Sequence, residues 1–515
     1  MKIIEFKIPF DQDLASYLKS QHPSVENYCI LSQSLDARKA PQGRKPHYLY
    51  RIAHWPQGQK NPLGQTTHFA HKLKKNEKPI VIVGAGPAGL FAALRLLDHG
   101  VTCLIVERGD HSGERMKKIA RYWRYGQLDE HSNVCFGEGG AGLYSDGKLI
   151  TRIKSDEIPY VMKRLVEFGA PESTAYQANP HLGSNKIREI IVKLTDYLKS
   201  RGVEICYRTS MVDLTIQQGK LESVILSDGQ QIECEHLILA AGHSAKDVYQ
   251  LLQKKDIALE GKDFAVGLRV EHPRSLLDRL QYGRFAGEKL GAARYRLSYH
   301  DHSIDRGGYS FCMCPGGYVL NSSTDHQGLV TNGMSNYACN SPWSNGALVV
   351  TVRWGVDFAA EHFLSGLNFV QDIEAKAKAL SVQHATGKEL PALSAREFLS
   401  QKINWDQCLP KSSTPSKIFK ADIRQIFPSF INDFLAKSLL EFDQKLPGFI
   451  DDQTLLIAPE TRTSSPLRIV RHPQSLMSPS LKGLYPCGEG AGYAGGITSA
   501  AVDGINVASA LINSL

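Results

Sequence analysis

The chain of 515 residues has no apolar run near the ~20 residues that a membrane span requires. Its first residues, MKIIEFKIPF, lack the apolar segment and small-residue cleavage site of a secretory signal. No CxxC pair is followed by a second pair and no HExxH occurs, which argues against a zinc site. We therefore expect a cytoplasmic protein with no membrane segment and no bound metal. Its ten cysteines should stay reduced and serve mostly as small buried residues.

The excess of positive over negative charge is small. Lys and Arg total 60 against 52 for Asp and Glu, which gives a net charge of +8. Such an excess suits an anionic substrate or cofactor. The chain has neither a dense Arg/Lys helix nor a platform of basic and aromatic residues, so we do not expect a nucleic-acid partner. The expected partner is a small-molecule substrate, together with an electron donor or acceptor that the sequence does not identify.

The pattern of elements along the chain predicts an α/β protein with three regions. Residues 1–76 predict a small α+β domain of βαββ order that ends in a lysine-rich linker, His68–Lys78. Residues 77–263 and 454–515 predict a discontinuous nucleotide-binding domain. Residues 264–453 contain short, evenly spaced strands followed by helices, which predicts an inserted α+β substrate domain with a largely antiparallel sheet.

The most specific motif is PIVIVGAGPAGLFAALRLLDHGVTCLIVERG, from residue 79 to residue 109. Gly84 permits a tight turn, Gly86 leaves space for a pyrophosphate, and Gly89 lets the helix pack closely on the strand. Glu107 ends the second strand, where its carboxylate can accept hydrogen bonds from the ribose of an ADP moiety. A strand before the glycines, a helix after them and the acidic residue together predict a Rossmann-type dinucleotide site.

Three further segments favour FAD over NAD as the dinucleotide. They are a second glycine-rich loop, FGEGGAGLYSDGKL, a strand that ends in small residues, LILAAG, and a C-terminal strand, turn and helix, YPCGEGAGYAGGITSAAVDGI. A simple NAD domain needs none of them, whereas an extended FAD would use all three. No second GxGxxG follows a strand, so we expect no separate NAD(P)H domain.

These motifs resemble a known group of flavoproteins. GxGPAGL with VERG, the strand-end AAG and the C-terminal GE turn resemble the glutathione-reductase-type FAD superfamily. GEGGAGLYSDGKL, RTSSP, CGEGAGYAGGITSAAVDG and SLDARKAP resemble one bacterial branch of it, the uncharacterised FAD-dependent dehydrogenases. The resemblance implies a glutathione-reductase-like Rossmann fold, FAD and two-electron redox chemistry. It implies no particular substrate.

The resemblance also implies a set of cofactor contacts. Lys148 and its glycine loop would follow the pyrophosphate and flavin, and the Val212 backbone would meet adenine. Glu489 stands where the superfamily usually has an Asp that binds the ribityl chain. The expected cofactor-binding set is Gly84, Gly86, Pro87, Ala88, Gly89, Glu107, Arg108, Gly139, Gly140, Gly142, Lys148, Val212, Ala241, Gly242, Gly488, Glu489, Gly495, Gly496 and Ile497.

Chemistry near the flavin has several candidate residues. A helix that begins near Ile497 would point its N-terminus at the flavin, where its dipole stabilises negative charge. Cys312 and Cys314 are either packing residues or thiols that face substrate or flavin, and His243 either transfers a proton or packs. Arg269 and Arg462 would meet over the flavin and bind an anionic group.

The function predicted from these observations is a FAD-dependent oxidoreductase. It would transfer a hydride between flavin N5 and a small anionic molecule, while the protein positions the substrate and tunes the flavin. Two alternatives remain open at this point: a flavoprotein that acts in RNA modification, and a non-catalytic flavin-binding regulatory protein.

Overall fold

The computed structural model of the protein describes residues 1–57, 59, 77–287 and 289–515. The N-terminal region forms an antiparallel sheet in the order β1-β3-β2, which confirms the βαββ prediction. The Asp13 carboxylate accepts a hydrogen bond from Ser16 N at 2.9 Å and so caps the helix. Most of the expected linker, His68–Lys78, lies outside the described residues. The elements are β1 (Lys2–Pro9), α1 (Leu14–Gln21), β2 (Asn27–Asp36) and β3 (His47–Trp55).

This small domain is docked on the rest of the molecule. The Phe10 ring packs edge-on against Phe285 with ring centroids 6.1 Å apart. Gln33 N donates to Tyr176 O at 2.9 Å, and Ala178 N donates to Gln33 O at 2.8 Å. The domain therefore contacts both the nucleotide-binding region and the insertion.

A parallel sheet begins after the N-terminal domain. Its first strand, IVIV, is buried at all four positions, as expected for a strand that helices cover on both faces. The elements of this segment are β4 (Ile80–Val83), α2 (Pro87–Asp98), β5 (Cys103–Val106), α3 (Ser112–Tyr125), α4 (Ile158–Glu167), α5 (Gly183–Ser200), β6 (Glu204–Cys206), β7 (Met211–Gln217), β8 (Lys220–Leu226), β9 (Gln231–Glu233), β10 (Leu237–Leu239) and α6 (Lys246–Lys254).

The inserted region forms a seven-stranded sheet. Its strands pair antiparallel except for β18 and β19, in the order β13-β14-β17-β12-β20-β18-β19. The elements are β11 (Leu259–Gly261), β12 (Phe264–Pro273), α7 (Arg274–Tyr282), β13 (Ser298–Asp301), β14 (Arg306–Cys314), β15 (Gly317–Asn321), β16 (Thr331–Ser335), β17 (Trp343–Val352), α8 (Ser365–His384), β18 (Leu390–Ser394), α9 (Ala395–Ser400), β19 (Ile418–Lys420), α10 (Ser429–Lys445) and β20 (Leu455–Glu460).

The last of these strands corrects the expected end of the insertion. The sequence places the return to the nucleotide-binding domain at residue 454, yet β20 pairs with β12 through Leu455, Leu456 and Ile457. These three side chains are buried in the core of the inserted sheet. The sheet therefore runs to Glu460, one strand beyond the expected boundary.

The chain then completes the first sheet. The remaining elements are β21 (Leu467–Ile469), β22 (Leu484–Pro486) and α11 (Ile497–Ile512). The parallel sheet has the order β22-β10-β4-β5-β6, so its strands come from both sides of the insertion. Its carboxyl edge faces strands of the inserted sheet, and the space between them is the candidate site. No helix in the described ranges is long and apolar enough to cross a membrane.

Candidate functional site

One cavity of about 340 Å³ runs between the two sheets. Its walls come from the carboxyl ends of β4, β5 and β10 on one side and from β14, β16 and β20 on the other. The sequence-predicted residues that line it are Gly84, Gly86, Pro87, Ala88, Glu107, Arg108, Gly140, Gly142, Lys148, Ala241, Gly242, His243, Cys312, Arg462, Glu489, Gly495, Gly496 and Ile497.

The remaining predicted residues do not line this cavity. They are Gly89, Gly139, Val212, Arg269, Cys314 and Gly488.

The fingerprint glycines divide into packing positions and a pocket position. A Cβ at Gly84 would lie 2.4 Å from Ala240 O, and one at Gly89 would lie 2.0 Å from Gly84 O. Gly89 therefore acts by bringing α2 onto the turn. At Gly86 the nearest atom to an added Cβ is Gly140 Cα at 3.8 Å. The two glycines face each other and leave a gap between the loops.

Gly139 and Gly488 support the walls from behind. Gly139 N donates to Ala85 O at 2.8 Å and thereby ties the second glycine loop to the first. Gly488 N donates to Asp503 Oδ2 at 2.7 Å. Their expected direct contact with the cofactor is corrected to a role in holding the loops.

Glu107 connects three loops at one end of the cavity. Its Oε2 accepts from Ala85 N at 2.7 Å, and its Oε1 accepts from Gly109 N at 2.9 Å and Gly137 N at 2.8 Å. A carboxylate has about four acceptor positions, so these three bonds leave capacity for a ribose hydroxyl. Glu107 fits the ADP-binding role that the sequence assigns to it.

A buried arginine that the sequence analysis missed holds the second glycine loop. Arg115 on α3 is 0% exposed and donates to Asn133 O, Val134 O and Glu138 O at 2.8, 2.8 and 2.7 Å. These bonds satisfy carbonyls that a loop would otherwise leave without partners. Nothing in the local sequence distinguishes this arginine from a surface residue of an amphipathic helix.

The chain lines the cavity just before Val212, whose backbone contact with adenine stays a prediction. The side chain of Val212 is 49% exposed, whereas Met211 beside it is buried. Side chains alternate along a strand, so Met211 points inward and Val212 points outward. The lining residues at this point are Thr209, Ser210 and Met211.

The opposite end of the cavity is polar. Lys148 Nζ donates to Met313 O and lies 3.5 Å from Asp146 Oδ2. Burial alone would raise the pKa of Asp146, but Lys148 and His181 outweigh it and hold that pKa well below its usual range. Asp146 belongs to the SDGK part of the second glycine loop, and an acid two residues before the lysine was the available signal for it.

The two cysteines of β14 have different surroundings. The pairing of β14 with β17 shifts between Phe311 and Cys314, and Cys312 has a φ of 41°. This irregularity leaves Cys312 exposed at the cavity, where the surrounding protein atoms raise the pKa of its thiol to about 11. Cys314 is buried, and its thiol donates to Cys312 O at 3.2 Å. Cys314 is therefore a packing residue.

Arg269 corrects the prediction of an anion-binding guanidinium. It is 0% exposed and donates to both carboxylate oxygens of Glu460 at 2.8 and 2.7 Å. Its other bonds go to Cys312 O, Asn332 Oδ1 and Asn345 Oδ1. An arginine has five N–H groups, so these bonds use all of them. Arg269 has no donor left for a substrate.

Arg462 does line the cavity, but its charge is also paired. Its Nε and Nη2 both lie 3.2 Å from oxygens of Glu374, which is 1% exposed. Its Nη1 donates to Ser244 Oγ at 3.3 Å. The expectation that Arg269 and Arg462 present two free cations to the flavin is wrong, because each has a buried carboxylate partner.

His243 and Glu489 form a second polar pair in the cavity wall. His243 Nδ1 lies 3.5 Å from Glu489 Oε1. Burial raises the pKa of Glu489 to about 7, while burial and the nearby Arg462 lower the pKa of His243 to about 4. The buried His243 Nε2 has no hydrogen-bond partner within the described ranges. A bound molecule with a polar group would satisfy it.

The N-terminus of α11 completes the cavity. A Cβ built at Gly495 or Gly496 would meet nothing within 4 Å, so both glycines border open space. The sixteen-residue helix that follows starts at Ile497, as the sequence predicts. Its first N–H groups and positive dipole end favour negative charge at this wall.

Comparisons with known proteins agree with a flavin site. Residues 263–463 match a family described as "FAD-dependent protein, C-terminal domain-like", and residues 82–133 match an NAD(P)-binding Rossmann-like domain. An uncharacterized protein of Clostridium beijerinckii is 39% identical over 435 residues, which cover 84% of this chain and 80% of that protein.

Solved structures show weaker likeness. CtdE in complex with FAD is 13% identical, covers 84% of each chain and has a TM-score of 0.33. The flavin-dependent brominase Bmp2 is 11% identical, covers 85% of this chain and 79% of its own, and has a TM-score of 0.39. Glycine oxidase from Bacillus cereus is 12% identical, covers 85% of this chain and 96% of its own, and has a TM-score of 0.31.

The family match to the insertion agrees with the corrected end of the inserted sheet at Glu460. The gap between Gly86 and Gly140, the carboxylate of Glu107 and the open N-terminus of α11 fit an extended dinucleotide. The chain is thus a FAD-dependent protein with a Rossmann-like nucleotide-binding domain, and it belongs to the same family as the clostridial protein.

Proposed function

We propose that the protein is an oxidoreductase that exchanges a hydride between FAD and a small molecule. Bound FAD would supply the two-electron chemistry, at N5 of its ring system. The observation that carries the proposal is the continuity of one cavity from Glu107 to Cys312. A cavity that only stored a nucleotide would not need an enclosed polar wall at its far end.

The residues of the nucleotide-binding domain would hold the cofactor. Glu107 would accept hydrogen bonds from the adenosine ribose, and the gap between Gly86 and Gly140 would admit the pyrophosphate. The ring system would then lie toward Lys148 and the N-terminus of α11. That helix end stabilises negative charge, which favours the reduced form of a flavin.

The inserted sheet would supply the substrate side of the cavity. Phe311, Cys312 and Asn332 face the cavity from β14 and β16. Lys148 lies at this end of the cavity. Its ammonium group is 3.5 Å from the Asp146 carboxylate and donates to Met313 O. Because Arg269 and Arg462 are paired internally, we assign substrate orientation to Lys148.

A reduction screen tests the proposal. FAD-loaded protein is mixed anaerobically with NADH, NADPH and candidate small molecules, and flavin absorbance is followed. We expect rapid bleaching by at least one compound and a weaker response in Lys148→Met. A hydrogen bond from a charged group contributes about 1.5–3 kcal/mol, so its loss should slow reduction about tenfold or more. Lys154→Met is the matched control, since Lys154 is exposed and outside the cavity.

Two results would contradict this assignment. Equal reduction rates in Lys148→Met and Lys154→Met would remove Lys148 from the substrate site. Protein that retains FAD, yet shows no reduction by any compound that reduces related flavoenzymes, would favour a non-catalytic role.

The same screen tests the RNA alternative. A surface cavity on the N-terminal domain is lined by basic residues, among them Lys7, Lys39 and Arg44. Two neighbouring cations, Arg38 and Lys45, are already paired with Asp36 and Asp11. Adding bulk tRNA should leave the reduction rate unchanged if the substrate is a small molecule. Acceleration by tRNA would favour RNA modification instead.

A further inference from the structure

A cysteine, a histidine and a carboxylate lie together beside the cavity between the two sheets. The sulfur of Cys339 is 3.6 Å from Nδ1 and 3.7 Å from Nε2 of His181. The nearly equal distances place sulfur against the imidazole as a whole, not along one N–H bond. His181 Nε2 in turn lies 3.3 Å from Asp146 Oδ1 and 2.9 Å from Ser335 Oγ. Thiol, imidazole and carboxylate form a continuous row.

The contacts of His181 with Asp146 and Cys339 favour its protonated form. Burial by itself lowers the pKa of His181, but the contacts with Asp146 and Cys339 outweigh it and raise that pKa to about 9. Asp146 is buried and remains ionised, because Lys148 and His181 both stabilise its charge. Ser335 Oγ also donates to Asp146, which fixes the carboxylate beside the ring. A cation therefore stands next to the Cys339 sulfur.

Cys339 lies near the protein surface. Cys339 is partly exposed and lies in the loop between β16 and β17, where Tyr337 is 45% exposed. A thiol becomes a nucleophile as its thiolate, and an adjacent imidazolium stabilises that form. The described chain offers a contrast at Cys408, which is exposed and makes no hydrogen bond or ion pair there.

We propose that Cys339, with His181 and Asp146, is a modification site at which a hydroperoxide oxidises the thiolate to sulfenic acid. The sulfur attacks one peroxide oxygen, an S–O bond forms and the O–O bond breaks. With hydrogen peroxide the products are Cys–SOH and hydroxide, which solvent protonates to water. Sulfur loses two electrons and the peroxide gains them. The site adjoins the cavity of the proposed redox reaction, because Asp146 lines that cavity and also contacts Lys148.

The test measures rates at individual cysteines in the full-length, FAD-loaded protein. The protein is exposed to dilute hydrogen peroxide at pH 7, sulfenic acid is trapped with dimedone, and peptides are quantified by mass spectrometry. His181 lies against the sulfur of Cys339, whereas Cys408 makes no hydrogen bond or ion pair within the described residues, so Cys339 should react about tenfold or more faster. We expect that ratio between Cys339 and Cys408.

Variants identify the cause of the rate. His181→Asn removes the cation and should bring Cys339 to within about twofold of Cys408. Ser335→Ala keeps the charges and should retain most of the difference. Cys339→Ser confirms the labelled peptide. A wild-type rate at Cys339 equal to or below that at Cys408 overturns the proposal, and this comparison needs no variant to fold. A fast rate that persists in His181→Asn also overturns it.

Discussion

The two walls of the FAD cavity are built by different means. On the nucleotide side the wall is mainly backbone, where opposed glycines leave a gap and one carboxylate, Glu107, receives three N–H donors. On the inserted side the wall is made of side chains whose charges are paired, with Arg269 on Glu460 and Arg462 on Glu374. The first wall leaves a gap between Gly86 and Gly140. On the second wall, the charges of Arg269 and Arg462 are already paired with carboxylates.

The difference predicts where a substitution damages the fold and where it damages the site. Charges on the inserted side support the structure, so their loss should appear as lost stability. Gly86 and Gly140 border the gap between the two loops, so their loss should appear as lost FAD.

The largest expected effect is on Arg269. Arg269→Met leaves Glu460 buried without its cation, which costs about 3–5 kcal/mol of unfolding free energy. Denaturant unfolding measures it. The double variant Arg269→Met with Glu460→Gln removes both charges and should recover part of the loss. If the single variant is as stable as wild type, the pair does not hold this wall together.

The next effect distinguishes two glycines of one motif. Gly86→Val should fold and purify with little FAD, because the nearest atom to a new Cβ is 3.8 Å away but the added methyl groups enter the cavity. We expect affinity to fall at least about tenfold, or about 1.4 kcal/mol. Absorbance of the purified protein and FAD titration measure it.

Gly89→Ala is the matched control for that variant. Its Cβ would lie 2.0 Å from Gly84 O, so it should lower thermal stability before it affects affinity. Stoichiometric FAD in Gly86→Val would show that the glycine gap is not the path of the pyrophosphate.

The smallest expected effect is a pH dependence at the junction of the two walls. Burial raises the pKa of Glu489 from 4.5 to about 7, so the folded protein binds more protons than the unfolded chain between these values. Its contribution to stability is present below pH 4.5 and declines as pH rises to about 7. His243, with its pKa lowered to about 4, acts in the opposite direction up to pH 6.5.

Glu489→Gln separates the two contributions. The stability of wild type relative to Glu489→Gln should fall by more than about 1 kcal/mol across pH 4.5–7, since each pKa unit is worth about 1.4 kcal/mol. Unfolding of the FAD-free proteins in a pH series measures this. A difference that stays constant with pH would show that the carboxyl of Glu489 is not buried from solvent.

The contrast between the walls also explains which predictions from sequence succeeded. Turn, helix and strand around Gly84 follow local rules, and α11 begins at the residue that its preceding glycines indicate. The partner of Arg269 is 191 residues away in the chain, and no local pattern connects the two. At the start of β7, a one-residue change in register reverses which side chain points inward, so the sequence alone does not show which side chain there faces the cavity.

The end of the insertion was misjudged for a related reason. Residues 455–460 are as apolar as a strand of either sheet, and only pairing with β12 assigns them to the inserted one. The sequence does not single out Arg115, because its role depends on the loop carbonyls to which it donates, and a sequence does not show which carbonyls a side chain reaches. Contacts between segments that are distant in the chain are therefore what the sequence does not predict.

A crystal structure of the FAD-loaded protein tests the central claim most directly. The account predicts the adenosine ribose at Glu107, the pyrophosphate between Gly86 and Gly140, and the ring system beside Lys148 and Cys312. Arg269 should still be bound to Glu460 and make no contact with the cofactor. A ring system next to Glu107, or FAD held outside the cavity between the two sheets, would contradict it.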